Sequence, residues 1–364
     1  MLIAVNKQQP TLRKSINFFT STRSYAEMAS NQAAFLDAPS TPLRVGSTPM
    51  PKPGPDDVVI KNHAVSINPL DLGMAASGRF CKTLPWVLGQ DVAGEIHDIG
   101  SSVTHLRKGD RVVGHSWSLF TGQTQDGAWS LYSNVPAKNT AIIPQTLPFT
   151  EAVVLPLAID TATSGLFDEQ KPGLALEWPD AHAEKSAVKG VVVVYGASSS
   201  VGSMAIQLAT AAGYRVIGIA SKRNFDFCRS CGATDVFDYK DSSVVDGVIK
   251  AVGDDTFIGV YDAIGTAASS EIDVAILEKL GGGSLATVHD VPANLPANVK
   301  AKHIFGLGAF SFPIWEKFVT PALESGKLQC LPKPLVVGKG LESLQKAMDR
   351  LKDGVSAQKI VVEL

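Results

Sequence analysis

A serine-rich turn at residues 196–202 carries the side chains best suited to holding a charged group. Before it, Val191 to Tyr195 form a continuous apolar run, typical of a parallel strand that is covered on both faces. After it, small and apolar residues recur at helical spacing from Ser203 to Ala212. Such a turn aims backbone N–H groups and the positive end of a helix dipole at one point. We therefore predict a pyrophosphate-binding turn.

The glycine pattern of this turn departs from the usual one. Aligned on Gly202, the G-x-G-x-x-G pattern of dinucleotide sites becomes Ala197-x-Ser199-x-x-Gly202, and Gly196 stands just before it. Only one of the three glycines is in register, although the substitutes are small. The alternative is an ordinary turn between a strand and a helix. A second apolar run at 214–220 completes a strand–helix–strand unit, which favours nucleotide binding.

The residues after the second strand indicate which nucleotide the turn would hold. NAD sites place Asp or Glu there, about 20 residues after the glycines, to accept from the ribose 2′-OH. This chain has Ser221, Lys222, Arg223 and Asn224 instead. A hydroxyl followed by two cations offers donors and opposite charge to a 2′-phosphate, so we predict NADPH. Tyr239 follows the next expected strand and joins this set, while the alternative for the cations is a solvated loop.

The front of the chain has the pattern of short strands separated by turns. Strands are expected at residues 56–68, 91–100 and 109–115, after proline-rich punctuation. A helix is then expected from Thr150, its N-cap, with an interruption at Pro156. The front of the molecule is therefore predicted to be mostly β.

The rest of the chain alternates between strands and helices. A polar, aperiodic stretch at 171–189 predicts a loop, and 335–354 predicts a strand followed by an amphipathic helix before a closing strand at 359–364. Between them, strands are expected at 191–195, 214–220, 235–238, 257–263 and 284–288. Helices between these strands give the alternation of a doubly wound parallel sheet.

Composition describes an ordinary globular protein, and 364 residues exceed what one core usually holds, so two domains are expected. A net charge of −2 with no basic stripe argues against nucleic acid. No apolar run approaches the roughly 18 residues that span a bilayer.

Four scattered cysteines are too few for a disulfide framework, which favours a reducing compartment. The pair Cys228-x-x-Cys231 lacks a second ligand pair, so we interpret it as structural packing.

Residues 1–27 differ from the remainder of the chain. They contain basic residues, many Ser and Thr, and no acidic residue before Glu27, while Met28 would make a conventional start. This composition is that of a mitochondrial transit segment, and a disordered extension is the alternative. The two interpretations predict a mitochondrial or a cytoplasmic protein, with the extension outside the fold in both.

Several segments together resemble the medium-chain dehydrogenase/reductase superfamily. Its N-P-x-D element is similar to INPLD at 67–71, its G-x-D-x-x-G…V-G…G-D-R-V signature to 88–112, and the helix beside its nicotinamide to 155–163. The loop beginning at Ser221 and the F-D-Y triplet at 237–239, with the long insert before the nucleotide unit, look most like the fungal zinc-independent enoyl reductases and their quinone-oxidoreductase-like relatives.

This resemblance implies an α/β fold of two domains. A GroES-like, β-rich catalytic domain would occupy residues 28–155, and a doubly wound Rossmann domain would occupy 156–305. Residues 306–364 would return to the catalytic domain. The resemblance places the active-site cleft between the two domains.

The resemblance also bears on metal binding. Zinc-containing relatives place a Cys shortly after the first long strand, a His where this chain has Gln90, and a Cys near residue 158. Here the first region has Asp71 and no Cys, and the third reads Leu157-Ala158. Since a catalytic zinc needs three protein ligands, we expect no metal.

Without a Lewis acid, the expected reaction is reduction of a conjugated C=C bond or a quinone, in which donors stabilise charge on the acceptor oxygen. Polyketide enoyl reductases carry Ser and Lys donors where this chain has residues 70–73, and mitochondrial enoyl reductases carry a Tyr donor where Phe80 aligns. Neither donor is present, which favours a quinone or small enone over an acyl thioester. The catalytic residue is not assigned, and the candidates are Asn68, Asp71 and Thr161; the simpler interpretation of Asn68 and Asp71 is that they hold the loop and the nicotinamide ribose.

The remaining cofactor contacts are also implied by the resemblance. In the serine-rich turn they are Ser198, Ser199, Ser200, Val201 and Gly202, which would hold the pyrophosphate. Elsewhere they are Leu70, Asp71, Leu72, Gly73, Thr161, Leu307, Gly308, Ser356 and Ala357, the last standing where the superfamily usually has Gly. One alternative is a trans-acting enoyl reductase that serves a polyketide synthase, with the carrier domain of the synthase as its partner. The other is a non-catalytic, NADPH-binding or structural protein. A monomer or a homodimer is expected.

Overall fold

The computed structural model describes residues 30–169, 173–182 and 187–364, and the statements below concern these residues. The expected extension at 1–27 lies outside them. The described parts of the loop expected at 171–189 contain neither helix nor strand. Among the described helices, none is both long enough and apolar enough to cross a bilayer.

Strands dominate the front of the chain and alternate with helices behind it. The strands are β1 (Asn31–Leu36), β2 (Arg44–Thr48), β3 (Asp57–Ser66), β4 (Trp86–Val87), β5 (Asp91–Ile99), β6 (Arg111–His115), β7 (Tyr132–Pro136), β8 (Thr140–Ile142), β9 (Val191–Tyr195), β10 (Arg215–Ala220), β11 (Asp235–Asp238), β12 (Phe257–Asp262), β13 (Gly283–Thr287), β14 (Val299–His303), β15 (Pro334–Lys339) and β16 (Lys359–Glu363). The α-helices are α1 (Pro69–Ser77), α2 (Ser118–Thr121), α3 (Phe149–Ala152), α4 (Pro156–Phe167), α5 (Ser200–Ala211), α6 (Phe225–Ser230), α7 (Val244–Val252), α8 (Ala267–Lys279), α9 (Phe312–Ile314), α10 (Thr320–Ser325) and α11 (Leu344–Lys352).

The front sheet is assembled from both ends of the described chain. Its strand order is β15-β16-β3-β5-β6-β8, and β7 also pairs with β3. Strand β16 runs antiparallel to β3, with Val361 opposite Ser66, and parallel to β15. A smaller antiparallel sheet has the order β2-β1-β4. Because β16 runs antiparallel to β3, the start of β16 lies beside the start of α1, and the N–H of Ile67 donates to the carbonyl of Ile360 at 3.0 Å.

The second sheet is parallel throughout and has the order β11-β10-β9-β12-β13-β14. Every residue of β9 is buried, as expected for a central strand covered on both faces. The strand order reverses between β9 and β12, and in such sheets ligands bind beyond the carboxyl ends of the strands at that point. The serine-rich turn begins at the carboxyl end of β9.

The predicted fold class is confirmed, but one predicted helix cap is wrong, and several strands are not among those predicted, namely β1, β2, β4, β7, β8 and β14. Helix α3 begins at Phe149, so Pro148 and not Thr150 occupies the N-cap position. Strand β14 is absent from the sequence prediction because, at the sheet edge, only Val299 of its five residues is buried. The interruption at Pro156 is confirmed, since Pro156 begins α4, where its missing N–H has no intrahelical partner to lose. The other predicted ends differ by one or two residues.

Candidate active site

The turn after β9 packs closely against the helix that follows it. Gly196 has a φ of +71°, in the left-handed region that glycine adopts without strain. Ser199 caps α5, because its Oγ accepts from the N–H of Gly202 at 3.0 Å. A Cβ on Gly202 would lie 2.2 Å from the carbonyl oxygen of Gly196. The one glycine in register is therefore the one that this close packing requires.

Ser200, the first residue of α5, shows that the turn fits an anion. Its Oγ is buried and has no hydrogen-bond partner among the described residues. Buried hydroxyl groups are almost always hydrogen-bonded, and the first N–H groups of a helix lack intrahelical acceptors. A phosphate oxygen would satisfy both kinds of donor. The turn therefore fits the pyrophosphate of a dinucleotide.

The predicted 2′-phosphate residues lie at the ends of two neighbouring strands. Strands β10 and β11 are parallel, with Ala220 opposite Asp238. Ser221 and Tyr239 follow these two residues directly, so both stand at the same edge of the sheet. Tyr239 is 39% exposed and is therefore accessible to a ligand.

The two cations of the same loop are free of carboxylate partners. Lys222 and Arg223 are exposed, and within the described ranges neither side chain forms an ion pair. The nearby carboxylate of Asp238 instead accepts from the backbone N–H groups of Lys222 at 3.3 Å and Lys240 at 3.0 Å. Both positive charges therefore remain available to an anion.

Asn224 joins three of the predicted segments. Its Nδ2 donates to the Oγ atoms of Ser198 and Ser356, in each case at 3.0 Å. Ser198 lies in the turn after β9, whereas Ser356 is 132 residues beyond Asn224 in the chain, just before β16. Ala357, beside it, has a φ of +48°. This left-handed conformation accounts for the glycine usual at that position.

Thr161 lies on α4 against the loop 306–308. Its Oγ1 donates to the carbonyl of Leu157 at 2.6 Å, and its own carbonyl accepts from the hydroxyl of Tyr261 at 2.9 Å. A Cβ on Gly306 would lie 2.4 Å from Thr161 Oγ1, so the loop backbone passes directly over this side chain. Because its one hydroxyl proton is used within the helix, Thr161 can accept from a ligand but cannot donate to it.

The other candidates on and after α1 are placed differently from one another. Leu70 and Leu72 pack against the hydrophobic core of the front domain, and Gly73 is exposed. Phe80 has a φ of +69°, and its ring centroid lies 6.0 Å from that of Phe305. The roles of Leu70, Leu72 and Gly73 in cofactor binding stay predictions.

A buried polar cluster, formed by Ser66, Asn68, Asp91 and Lys359, lies where β3, β5 and β16 meet α1. Asp91 is fully buried, and its Oδ1 accepts from the N–H of Leu157 at 2.7 Å. Its Oδ2 accepts from Ser66 Oγ and from Asn68 Nδ2, the latter at 2.7 Å. Lys359 Nζ lies 3.3 Å from the same oxygen and also donates to Asn68 Oδ1. The cluster therefore links three separate segments to the chain end.

The pKa of Asp91 shows which effect dominates inside this cluster. Burial by itself would raise the pKa, but the charge of Lys359 and the hydrogen bonds from Ser66 and Asn68 outweigh it. The pKa consequently lies below its ordinary value. Asp91 is therefore a carboxylate at neutral pH and balances the buried ammonium.

Asp71 has the opposite electrostatics although it is close to the cluster. Its Oδ2 accepts from the N–H of Asn68 at 2.8 Å, and its Oδ1 accepts from the N–H of Gly89 at 3.2 Å. Burial raises the pKa of Asp71 to about 7, and the charge of Asp91 adds to this rise. A carboxyl group with such a pKa can exchange a proton near neutral pH, as acid–base chemistry requires.

The positions that hold zinc in metal-containing relatives do not offer a zinc site. Gln90 is fully buried, and neither its Nε2 nor its Oε1 has a hydrogen-bond partner in the described part of the chain. Leu157 and Ala158 offer no side-chain ligand. Across the described ranges, no three His, Cys, Asp or Glu side chains converge as metal ligands. These donors do not fit a catalytic zinc, whereas the amide of Gln90 fits a polar ligand.

The Cys228-x-x-Cys231 pair also lies in apolar surroundings. Cys228 is on α6, and Cys231 is the first residue after that helix. Both are buried free thiols. Burial raises the pKa of each thiol to about 12, so neither is a thiolate at neutral pH. This burial supports the interpretation as structural packing.

A second buried pair, His115 and Asp160, is one that the sequence analysis does not identify. His115 Nδ1 lies 2.5 Å from Asp160 Oδ2, which also accepts from Asn139 Nδ2 at 2.8 Å. The other oxygen, Oδ1, accepts from Trp315 Nε1 at 2.6 Å. Asp160 immediately precedes Thr161, so this pair fixes the helix that carries a predicted nicotinamide contact.

Lys359 and Asp91 are likewise missing from the sequence prediction. A usable signal for Lys359 is its place at the start of the otherwise apolar closing strand, KIVVEL. A cation that begins a buried strand needs a buried partner. Nothing local identifies Asp91 as that partner, because the two residues are far apart in the chain.

Comparisons with known proteins give the family. Residues 54–145 match the alcohol dehydrogenase GroES-like domain, and residues 200–312 match the zinc-binding dehydrogenase family. The dehydrogenase orsE of Emericella nidulans is 48% identical over 348 residues, which cover 93% of this chain and all of the relative. The trans-enoyl reductase himH of Aspergillus japonicus is 38% identical over 341 residues, which cover 92% of this chain and 97% of the relative.

A solved structure shows the same fold. An alcohol dehydrogenase superfamily protein from Novosphingobium aromaticivorans superposes with a TM-score of 0.76 at 23% identity, over 92% of this chain and 99% of that one. The chain belongs to the medium-chain dehydrogenase/reductase superfamily. It is an oxidoreductase of a family that binds a nicotinamide cofactor, and fungal dehydrogenases and trans-enoyl reductases are among its relatives. The domain boundaries at 155 and 305 stay predictions.

Proposed function

We propose that this chain is an NADPH-dependent, zinc-independent reductase that transfers hydride to a conjugated C=C bond or a quinone. One observation carries the choice of cofactor. Lys222 and Arg223 are exposed and have no carboxylate partner among the described residues, and they lie beside Ser221 at the same sheet edge as Tyr239. A 2′-phosphate would meet two cations and two hydroxyl groups there, whereas NADH would leave the cations without a partner.

The zinc-independent part of the proposal is supported by the residues at the three zinc-ligand regions. The first has Asp71 and no Cys, the second has Gln90 where zinc-containing relatives have His, and the third has Leu157 and Ala158, so the three protein ligands of a catalytic zinc are not supplied. The positive charge in this part of the molecule is instead the ammonium of Lys359, held by Asn68 and Asp91.

Each group can be given a task in such a reaction. When bound, the cofactor supplies a hydride to the acceptor. The N-terminus of α5 and Ser200 bind the pyrophosphate, and the acceptor-only hydroxyl of Thr161 suits the amino group of the nicotinamide carboxamide. Asp71, with its pKa of about 7, holds a proton next to Asn68.

A trans-acting enoyl reductase is the second candidate. It is favoured by the 38% identity to himH, which is named a trans-enoyl reductase. In that case the acceptor would be an acyl chain attached to a carrier domain of a polyketide synthase. The small-molecule proposal and this one share the hydride transfer and differ in what delivers the acceptor.

Cofactor binding is tested by fluorescence titration of the purified protein with NADPH and NADH. We expect wild type to prefer NADPH by at least about tenfold, which is about 1.4 kcal/mol. The double variant K222A/R223A should lose that preference through weaker NADPH binding, with NADH binding unchanged. The matched control is K250A, an exposed lysine on α7. Equal affinity of wild type for both nucleotides would contradict the proposal.

The reaction is tested with NADPH and a panel of quinones, small enones and acyl chains on a carrier domain. Turnover of free quinones or enones, unchanged after treatment with a chelator, is expected for the first candidate. Turnover restricted to carrier-bound chains would replace it by the second. Loss of activity with the chelator, restored by zinc, would show that the zinc-independent part is wrong.

A further inference from the structure

The ammonium of Lys359 has one hydrogen-bond donor more than the protein uses. Lys359 is 5% exposed, and its Nζ contacts Asn68 Oδ1 and Asp91 Oδ2. An ammonium carries three N–H donors, and no third acceptor is found within the described residues. A charged donor that is buried and still incompletely paired indicates a ligand.

Asp91 holds this ammonium in a fixed place. Both oxygens of Asp91 are occupied, Oδ1 by the N–H of Leu157 and Oδ2 by Ser66, Asn68 and Lys359. The carboxylate is therefore ionised and cannot turn away from the ammonium. Burying an ion pair costs free energy that an apolar pair would not cost, so its presence here calls for a functional reason.

The ammonium stands among the segments predicted to surround the nicotinamide. Asn68 begins α1, and Leu157 lies four residues before Thr161 on α4. Ser356, three residues before Lys359, is bonded to Asn224 of the nucleotide loop. The remaining donor of Lys359 is therefore close to the segments predicted to hold the nicotinamide.

We propose that Lys359 is a catalytic residue whose ammonium donates a hydrogen bond to the acceptor oxygen on which negative charge collects during reduction. This proposal rests on the proposed function. The acceptor gains a hydride with its electron pair at the β-carbon, and its C=C electron pair moves toward the carbonyl oxygen, giving an enolate. The reduced nicotinamide is oxidised in the same step, and a proton from water at the α-carbon completes the two-electron reduction. The preplaced positive charge stabilises the enolate and the transition state that leads to it.

The kinetic test compares K359M with K346M, an exposed lysine on α11 that serves as the matched control. Removing one donor to a developing oxyanion typically costs about 10²- to 10³-fold in kcat. We expect a loss of that size in K359M with little change in KM, and wild-type kinetics in K346M. A kcat of K359M within threefold of wild type would overturn the proposal.

The double variant K359M/D91N separates catalysis from folding. K359M alone leaves Asp91 as an unpaired buried carboxylate and should lower the melting temperature. The double variant removes that charge as well, so its melting temperature should recover while its kcat stays low. Recovery of kcat together with the melting temperature would show that Lys359 is only structural.

A probe that needs no turnover keeps this proposal separate from the proposed function. Bound p-nitrophenol resembles an enolate when ionised, and its visible absorbance reports its ionisation. With saturating NADP⁺, wild type and K346M should bind the phenolate at least tenfold more tightly than K359M. Equal phenolate binding by wild type and K359M, including none by either, would overturn the role of Lys359. Absence of turnover by wild type across the whole panel would instead overturn the proposed function.

Discussion

Two polar regions of the molecule differ in whether their side chains have partners within the protein. They are the nucleotide-binding turn at residues 196–202 and the buried polar cluster of Ser66, Asn68, Asp91 and Lys359. In the turn and its basic loop, the side chains of Ser200 and Lys222 have no hydrogen-bond or ion-pair partner among the residues that the structure describes. In the cluster, both oxygens of Asp91 are fully occupied by protein donors. The first region is built to receive a charged ligand, whereas the second holds a charge in place before any ligand arrives.

The cluster should depend on its charges more than any surface pair does. D91N leaves the ammonium of Lys359 buried without a carboxylate, so the free energy of unfolding should fall by about 3–5 kcal/mol. The matched control is D98N, because Asp98 forms an exposed pair with Lys108 at 2.6 Å. That variant should change stability by less than about 1 kcal/mol. Urea denaturation measures the free energy of unfolding of both variants. Equal losses in D91N and D98N would mean that the buried cluster contributes no more to stability than an exposed ion pair does.

The turn should depend on backbone space rather than on charge. In G202A the new Cβ would lie 2.2 Å from the carbonyl oxygen of Gly196, so we expect a loss of about 1–3 kcal/mol and weaker NADPH binding. In G73A, on α1, the Cβ meets open space. In a helix interior alanine is more favourable than glycine by up to about 1 kcal/mol, so the free energy of unfolding of G73A should rise. Thermal melts and NADPH titration together check the pair. A G202A protein as stable as wild type would mean that the turn can move apart.

The same contrast explains what the sequence could predict. The turn, the basic loop and the parallel sheet arise from residues close in the chain, whose periodicity and composition are visible locally. The cluster joins Ser66, Asp91 and Lys359 through the pairing of β16 with β3, which no local pattern encodes. The partner of Asp160 is also not predictable from the sequence. An acidic residue in an apolar helix indicates that a buried partner exists, but nothing nearby in the sequence identifies His115 as that partner.

The carboxyl groups of Asp91, within the cluster, and Asp71, beside it, should change their contributions to stability with pH in opposite directions. The pKa of Asp71 is about 7 in the folded protein and near 3.8 when unfolded, so the folded state binds more protons between these values. Its contribution to stability therefore falls as pH rises from about 4 to 7, by up to about 1.4 kcal/mol per pH unit. Asp91, whose folded pKa is lowered, loses its contribution only at lower pH, as the pH falls through that value.

Variant D71N isolates the first of these effects. The free energy of unfolding of wild type minus that of D71N should decrease between pH 5 and pH 7 and level off above. Urea denaturation at pH 5, 6, 7 and 8 measures it. D98N, altered at an exposed carboxylate, should give a difference that stays flat across this range. A flat difference for D71N would mean that Asp71 is ionised throughout, and its proposed place in proton exchange would be lost.

Ala357 lies where the two regions meet, between Ser356 on the nucleotide side and Lys359 in the cluster. Its φ of +48° is left-handed, which costs about 1–2 kcal/mol for any residue with a Cβ. A357G removes this strain at a smaller cost in unfolded-chain entropy, so we expect stability to rise by about 1 kcal/mol. A76G, in the exposed last turn of α1, should lower it by a similar amount. Thermal melts show whether each variant is more or less stable than wild type. A kcat of A357G within twofold of wild type would show that the strained backbone is not needed to place Ser356 and Lys359. A stabilised A357G with impaired turnover would show instead that the rigid alanine couples the two regions.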